Sequence, residues 1–514
     1  MQDTLNSPAI RIKEAGRVKS VKKIIAAVSG LSGFMNGQLV TFSGGPKGMI
    51  VGFWEDEVSV LILGDEAGVR LGQEVYSLQE EFRIPVGEGF LGRVVNALAE
   101  PLDGKGPVNP PVEHYPVFRE APGTMERSGA LSCLETGTRI IDAIVPLSKG
   151  QRQLIIGDRM TGKTTIAVDA ILNQRDKGVV CIYCCIGKSF SSLLKVTQLL
   201  KSGGALDYTL VVAAPASATP AEQYLAPYAA AALGEYFFYN GRDVLVVFDD
   251  MTKHAWAYRQ ISLLLERPPG REAYPGDIYY IHSQLLERAG RLKDNNDVIA
   301  SEAKQSHEIA SSPSAPRNDV TRGGSMTFLP IVDTLQGDIT GFIPSNLISM
   351  TDGQIYLNPA LFSEGFKPAV DFSMSVSIIG SKTQNPVLKR LSGGIRLEYT
   401  QFKELLRLTK LKSSLSQDVA FKIRRGEAIT AIFNQDKNKP AAIAELIVLL
   451  YALDRKILDQ LEPPKINRFK KEIWQYILAR KPELAKKLES AKELTPEIEQ
   501  VLNSLFVGYV KGME

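Results

Sequence analysis

Cysteine is scarce in this chain, with four residues in 514. Three of them stand in the run Cys181-Ile182-Tyr183-Cys184-Cys185, inside a Val/Ile-rich stretch that reads as a buried strand. Alternation along a strand sends neighbouring side chains to opposite faces, and no second Cys/His cluster completes a metal set, so a structural zinc site is excluded. What remains is reduced thiols packed in a core, as in a protein kept in a reducing compartment. Long apolar runs are lacking too. None reaches the roughly 18 residues that a membrane-spanning helix needs, and the longest candidate, Ala226 to Phe238, is broken by Gly234 and Glu235. The opening MQDTLNSPAIRIKEAG has neither the apolar core of a secretory signal nor the Arg/Ser-rich pattern of a transit peptide, so nothing in it suggests export. A surplus of one charge is also missing. The net charge of +3 is spread without a polybasic block, which argues against nucleic acid or a membrane surface as a direct partner.

What is present divides into three patterns, as expected of a chain too long for one hydrophobic core. Over residues 1–86, short β-rich runs such as Gln38-Leu-Val-Thr-Phe and Val58-Ser-Val-Leu-Ile-Leu alternate with Gly/Pro/Asp turns, which predicts a small N-terminal β-barrel. Over 87–384, apolar β-branched runs (Leu154-Ile-Ile, Val179-Val-Cys-Ile-Tyr, Thr209-Leu-Val-Val-Ala-Ala, Val244-Leu-Val-Val-Phe) alternate with helical stretches. Strands buried on both faces and separated by helices predict a mostly parallel α/β sheet. Over 385–514, amphipathic stretches predict a helical bundle, with Thr495-Pro496-Glu497 as an N-cap, a first-turn proline and an acid matched to the helix dipole. Residues 294–320 fit none of these patterns. Their Ser/Ala/Pro/Asn bias predicts a disordered insertion in a surface loop.

The strongest motif is Gly157-Asp158-Arg159-Met160-Thr161-Gly162-Lys163-Thr164, with Thr165 following, set between a predicted strand and the apolar helix Ile166 to Leu172. In a loop of this form, glycines let backbone N–H groups close around phosphate oxygens. The lysine neutralises β- and γ-phosphate charge, and the threonine hydroxyl can ligate Mg²⁺. Val244-Leu-Val-Val-Phe-Asp249-Asp250 is a buried strand ending in a carboxylate, which puts Asp249 where it would hold magnesium beside that loop. Asp250 reads equally as a strand-end cap. Turnover needs a group that orients the attacking water, and Ile186-Gly187-Lys188-Ser189 offers a cation where a carboxylate would be expected. The residues thus predict binding of ATP and Mg²⁺ without hydrolysis.

These elements resemble the alpha subunit of the F-type ATP synthase, a P-loop NTPase of the rotary ATPase head. The resemblance also rests on Ala257-Tyr-Arg-Gln-Ile-Ser-Leu-Leu-Leu-Glu-Arg-Pro-Pro-Gly-Arg-Glu-Ala-Tyr-Pro-Gly-Asp277, Gly150-Gln-Arg-Gln-Leu-Ile-Ile-Gly-Asp-Arg and Leu391-Ser-Gly-Gly-Ile-Arg396. It implies a RecA-like central domain between the barrel and the helical bundle. It further implies a ring of six in which alpha alternates with a catalytic beta subunit around a gamma stalk. Alpha in that family binds Mg-ATP without hydrolysing it while the complex couples proton or sodium flow to ATP synthesis. The implied location is the cytoplasmic face of a bacterial membrane, with membrane contact only through the ion-translocating sector. On the adenine side the family pattern matches at Pro368 and Gln435, whereas Lys367 and Lys437 stand where the family has an arginine and a second glutamine.

Four departures bear on function. Lys188 takes the place of a glutamine that itself replaces the catalytic glutamate of beta, and is either a partner for a phosphate oxygen or a solvent-facing lysine. Met160 replaces a glutamine in the phosphate loop, where backbone amides and Lys163 carry most of the contact. Ile378, in Ser375-Val376-Ser377-Ile378-Ile379-Gly380, stands where the family carries an arginine that reaches into the neighbouring beta site, and no arginine lies between Phe366 and Lys389. The N-terminal extension through which the family meets delta and the peripheral stalk is short before Gly16, which puts that contact in doubt. The alternative is another hexameric P-loop ATPase. A helicase would show exposed aromatics among basic residues in its barrel, and a secretion ATPase would keep a carboxylate where Lys188 stands.

Overall fold

The computed structural model describes residues 14–31, 35–54, 56–77, 81–109, 113–130, 132–294, 323–409 and 417–512. The expected insertion at 294–320 lies outside the described residues apart from Asp294. The three-part architecture is the one expected. Six strands close into a barrel in the order Glu14–Lys22, Ile25–Ser29, Glu57–Leu63, Lys47–Phe53, Leu39–Phe42, Glu74–Ser77. The first and last of these pair to complete the ring. Period-2 alternation gives each wall two jobs. Ile50, Val60 and Ile62 fill the barrel, while Met49, Leu61 and Leu63 on the same strands point outward into the core of the central domain. Arg267 ties that contact by donating to the Val51 carbonyl at 2.7 Å.

The central sheet runs in the order Val376–Ser377, Gly353–Leu357, Leu154–Asp158, Ser325–Thr334, Asp243–Asp249, Val179–Ile186, Thr209–Ala214, Val94–Val95, with Gly290–Arg291 paired onto Ser325–Thr334. Every pairing from Gly353–Leu357 to Val94–Val95 is parallel. Such a sheet must be covered on both faces, and it is. Val180, Ile182 and Cys184 pack with the helix Pro220–Tyr239, while Cys181, Tyr183 and Cys185 pack with Lys163–Leu172 and Phe190–Ser202. The cysteines are therefore core side chains, unbonded and buried, as their strand placement predicts.

Parallel register has a consequence for function. Gly157 pairs with Asp333, Asp158 with Thr334, and Cys185 with Asp249, so three strand-end aspartates gather at the carboxyl edge of the sheet. That edge is where open α/β sheets bind ligands. The helical domain packs against the same core as Lys163–Leu172. Its central helix, Ile443–Asp454, is apolar nearly all round and correspondingly buried. Thr495 caps the last helix, Pro496–Lys511, by accepting from the Ile498 amide.

Candidate nucleotide site

The phosphate loop sits between the strand Leu154–Asp158 and the helix Lys163–Leu172. Gly162 is the N-cap, at φ +104° with open space where a Cβ would go, a backbone conformation that glycine reaches without strain. A glycine cap brings no side chain, so the first-turn N–H groups of Lys163, Thr164 and Thr165 have neither an intrahelical acceptor nor a capping oxygen. Aligned at the positive end of the helix dipole, such amides form an anion site. Gly157 lies so close to its neighbour strand that a Cβ would meet the Leu357 carbonyl oxygen at 2.7 Å. Asp158 is a brace. Its Oδ1 accepts from the Thr334 hydroxyl at 2.6 Å and the Gly337 amide at 2.8 Å, while the Thr161 hydroxyl donates to its carbonyl at 2.7 Å.

Lys163 is 5 % exposed and its ammonium donates to the Gly157 carbonyl at 2.8 Å and the Asp158 carbonyl at 2.5 Å. It also ion-pairs with Asp333 Oδ1 at 3.0 Å, while Arg159 Nε meets Asp333 Oδ2 at 3.3 Å. Met160 is turned out, 90 % exposed, at the tip of the loop.

Thr164 and Asp249 are brought together. The threonine hydroxyl donates to Asp249 Oδ2 at 2.7 Å, and the buried Tyr183 hydroxyl donates to the same oxygen at 2.8 Å. Magnesium would need these oxygens at about 2.0–2.1 Å in near-octahedral geometry. The residues present do not fit that ion, because a cation already stands among them. The Lys188 ammonium ion-pairs with Asp249 Oδ1, donates to Thr164 Oγ1 at 3.3 Å and lies 3.8 Å from Asp250 Oδ2. Burial pulls the Lys188 pKa down, but the charges of Asp249 and Asp250 more than offset it and the net shift is upward. Of the two roles open to Lys188 in the sequence, a solvent-facing lysine does not describe this placement: the side chain is 22% exposed and its partner is the carboxylate expected to hold magnesium. Asp250 caps the next helix, Met251–Leu264, by accepting from the Lys253 amide at 2.9 Å. Burial is the main force raising its pKa to about 7.

Gln435 lies beyond the far end of the loop helix. Its amide N–H donates to the Lys367 carbonyl at 2.6 Å, next to Pro368, and its side-chain oxygen accepts from the Arg139 amide at 2.9 Å. Its Nε2 donates to the Gly137 and Lys439 carbonyls, both at 2.8 Å. The same loop is pinned to the loop helix where the Asn438 amide donates to Asp169 at 2.9 Å. Pro368 and Gln435 are thus neighbours, at the other end of the helix that carries Lys163, Thr164 and Thr165. The Lys367 ammonium lies 5.0 Å from the Phe362 ring centroid.

Ile378 is away from this site, 66 % exposed, just past the edge strand Val376–Ser377. Its amide donates to the Asp352 carbonyl at 3.0 Å. Arg152 shares Asp352 as a partner, its guanidinium held in a fork by the carboxylate at 2.9 and 3.1 Å. Sequence reasoning missed two residues of the site, Asp333 and Tyr183. Asp333 had a readable signal, since Ser325–Thr334 is a second apolar run ending in a carboxylate. Tyr183 had none, because its role depends on the pairing of its strand with Asp243–Asp249.

Comparison with known proteins agrees with this geometry. Residues 12–79 match the beta-barrel domain of the ATP synthase alpha/beta family, residues 137–377 its nucleotide-binding domain, and residues 384–508 the C terminal domain of the ATP synthase alpha/beta chain. The chain is 42% identical over 501 residues to "ATP synthase subunit alpha 2" of Paraburkholderia xenovorans (strain LB400), covering 98% of this chain and 95% of that protein. It is 42% identical over 496 residues to "ATP synthase subunit alpha" of Petrotoga mobilis (strain DSM 10674 / SJ95), covering 96% and 93%. With a barrel, a phosphate-loop domain and a helical domain in the same order along nearly its whole length, the chain belongs to the ATP synthase alpha/beta family.

Proposed function

We propose that this chain is the non-catalytic, nucleotide-binding alpha subunit of an F-type ATP synthase. In this reading it alternates with a catalytic beta subunit in a hexameric head around a gamma stalk. The observation that carries the proposal is the pairing of Lys188 with Asp249. An ammonium has no lone pair with which to take a proton from water, so the position that would supply a general base supplies none. Gly157 to Thr165 hold the phosphates of ATP through backbone amides and Lys163, and Pro368 with Gln435 borders the base. Magnesium, expected on Thr164 and Asp249, has no step here, since Lys188 occupies its surroundings.

The chain's work on a membrane is indirect. Among the described residues no helix is long and apolar enough to cross one; in this reading the complex holds the chain at the cytoplasmic face of a bacterial membrane through other subunits. Ile378 is the point of divergence. An exposed isoleucine at the face that meets beta offers no charge to a transferring phosphoryl group, where an arginine finger is worth roughly 10³ to 10⁵ in rate. Co-expression with the cognate beta and gamma chains, with ATPase rates for the native complex and for Ile378→Arg, tests this. The expected result is slow native turnover, raised by roughly 10³-fold or more in the variant, the lower end of what a finger supplies. Ordinary native turnover that the arginine leaves unchanged would show that Ile378 is not a missing finger.

A further inference from the structure

We propose that Lys188 replaces the divalent cation of this site, so that the chain holds a nucleoside triphosphate through an internal ammonium and does not require magnesium. The inference rests on the reading of the site as a nucleotide site and names the ion chemistry within it. Its basis is placement. Lys188 follows the strand Val179–Ile186. Its backbone is fixed on both sides: the Gly187 amide donates to the Ala214 carbonyl at 2.8 Å, the Ala216 amide donates to the Lys188 carbonyl at 2.8 Å, and Ser189 caps the helix Phe190–Ser202. From that anchor the side chain, 22% exposed, reaches Asp249, Asp250 and Thr164. The carboxylates that would attract a metal already face cations, Asp249 and Asp250 through Lys188, and Asp333 through Lys163 and Arg159.

The chemistry is consistent with substitution. A lysine ammonium carries three donors. Asp249 takes one and Thr164 a second, which leaves a third for a phosphate oxygen at the end of the loop. Magnesium would have to enter a position where the Thr164 hydroxyl is already bonded to Asp249 Oδ2 and where Lys188 meets both that hydroxyl and Asp249 Oδ1, and it gives up its water shell reluctantly.

The test uses the full chain, with ATP binding measured by equilibrium dialysis in excess magnesium and in excess EDTA. Native protein is expected to bind equally in both, within about threefold, whereas Lys188→Gln is expected to lose ~10-fold or more in EDTA and to recover in magnesium. A second readout counts metal directly. With Mn²⁺ as the probe, electron paramagnetic resonance is expected to find ATP bound to native protein without a stoichiometric ion, and one ion per ATP in Lys188→Gln. If native protein binds ATP only with a divalent ion, or retains one Mn²⁺ per ATP, the inference is overturned and the nucleotide reading stands. If it binds ATP under neither condition, both are overturned. Should Lys188→Gln fail to fold, the Mn²⁺ count on native protein decides alone.

Discussion

Lys188 and Asp249 form the contact on which the reading of the site turns, and its strength can be measured without any ligand. Asp249 is fully buried and Lys188 is 22% exposed. Removing one partner of a buried pair costs about 3–5 kcal/mol, because an uncompensated charge is left inside. Lys188 is partly hydrated, which places Lys188→Met near the low end, at about 3 kcal/mol. Asp249→Asn costs less, because Asp250 at 3.8 Å still faces the ammonium and the asparagine oxygen still accepts from Thr164 and Tyr183. The double variant strands no charge at position 249, and the loss of Lys188 from Asp250 is shared with Lys188→Met and cancels, so a double-mutant cycle is expected to give a coupling of about 2 kcal/mol. Urea unfolding reports it through Trp256, on the helix that Asp250 caps, in a background where Trp54 and Trp474 are phenylalanine. A coupling below about 0.5 kcal/mol, the scatter expected of independent sites, would refute the pairing.

Two further outcomes follow from the geometry. Gly162→Ala meets no steric contact, so its effect is purely one of backbone at φ +104°, and ATP affinity in equilibrium dialysis is expected to fall about tenfold, equivalent to 1.4 kcal/mol; unchanged affinity would mean that the loop does not need this conformation. His254 is fully buried against His282, at 3.2 Å between ring nitrogens, and burial lowers its pKa to about 4. The folded pKa lies below the unfolded one, so the stabilisation is present above about pH 6.5 and is lost as pH falls toward 4, by about 2 kcal/mol between pH 7 and 5. Asp142, Asp169 and Asp250, raised to about 7, act in the opposite direction, so the quantity to measure is a difference. His254→Asn is expected to lose about 2 kcal/mol less than native protein over that interval in urea titrations. Equal slopes would show that His254 is not held neutral.

The parts of this chain that could be read in advance are those whose cause is local. The barrel strands announce themselves by alternation, and the phosphate loop by the glycines that its backbone path requires. The buried strands appear as unbroken apolar runs, and the last helix by Thr495 and Pro496. What stayed hidden depends on register between strands far apart in sequence. Asp333 meets Lys163 because Ser325–Thr334 pairs with Leu154–Asp158, and Tyr183 reaches Asp249 because two other strands pair in step. Lys188 shows the limit most clearly. Its charge and position after the strand were legible, but the choice of Asp249 as partner belongs to the folded sheet edge. Gln435 is a similar case: the family pattern sets it beside Lys367 and Pro368, but its side chain bonds to Arg139, Gly137 and Lys439, which no sequence pattern connects to it.

The central claim is that this chain binds ATP and leaves it intact. The most direct measurement is ATP binding by the full-length chain alone, by equilibrium dialysis with radiolabelled nucleotide, followed by chromatography of the bound label. One ATP per chain is expected, lost in Lys163→Ala, with the bound nucleotide still ATP after hours of incubation. Bound label recovered as ADP in native protein but not in Lys163→Ala, or no saturable binding at all, would contradict it.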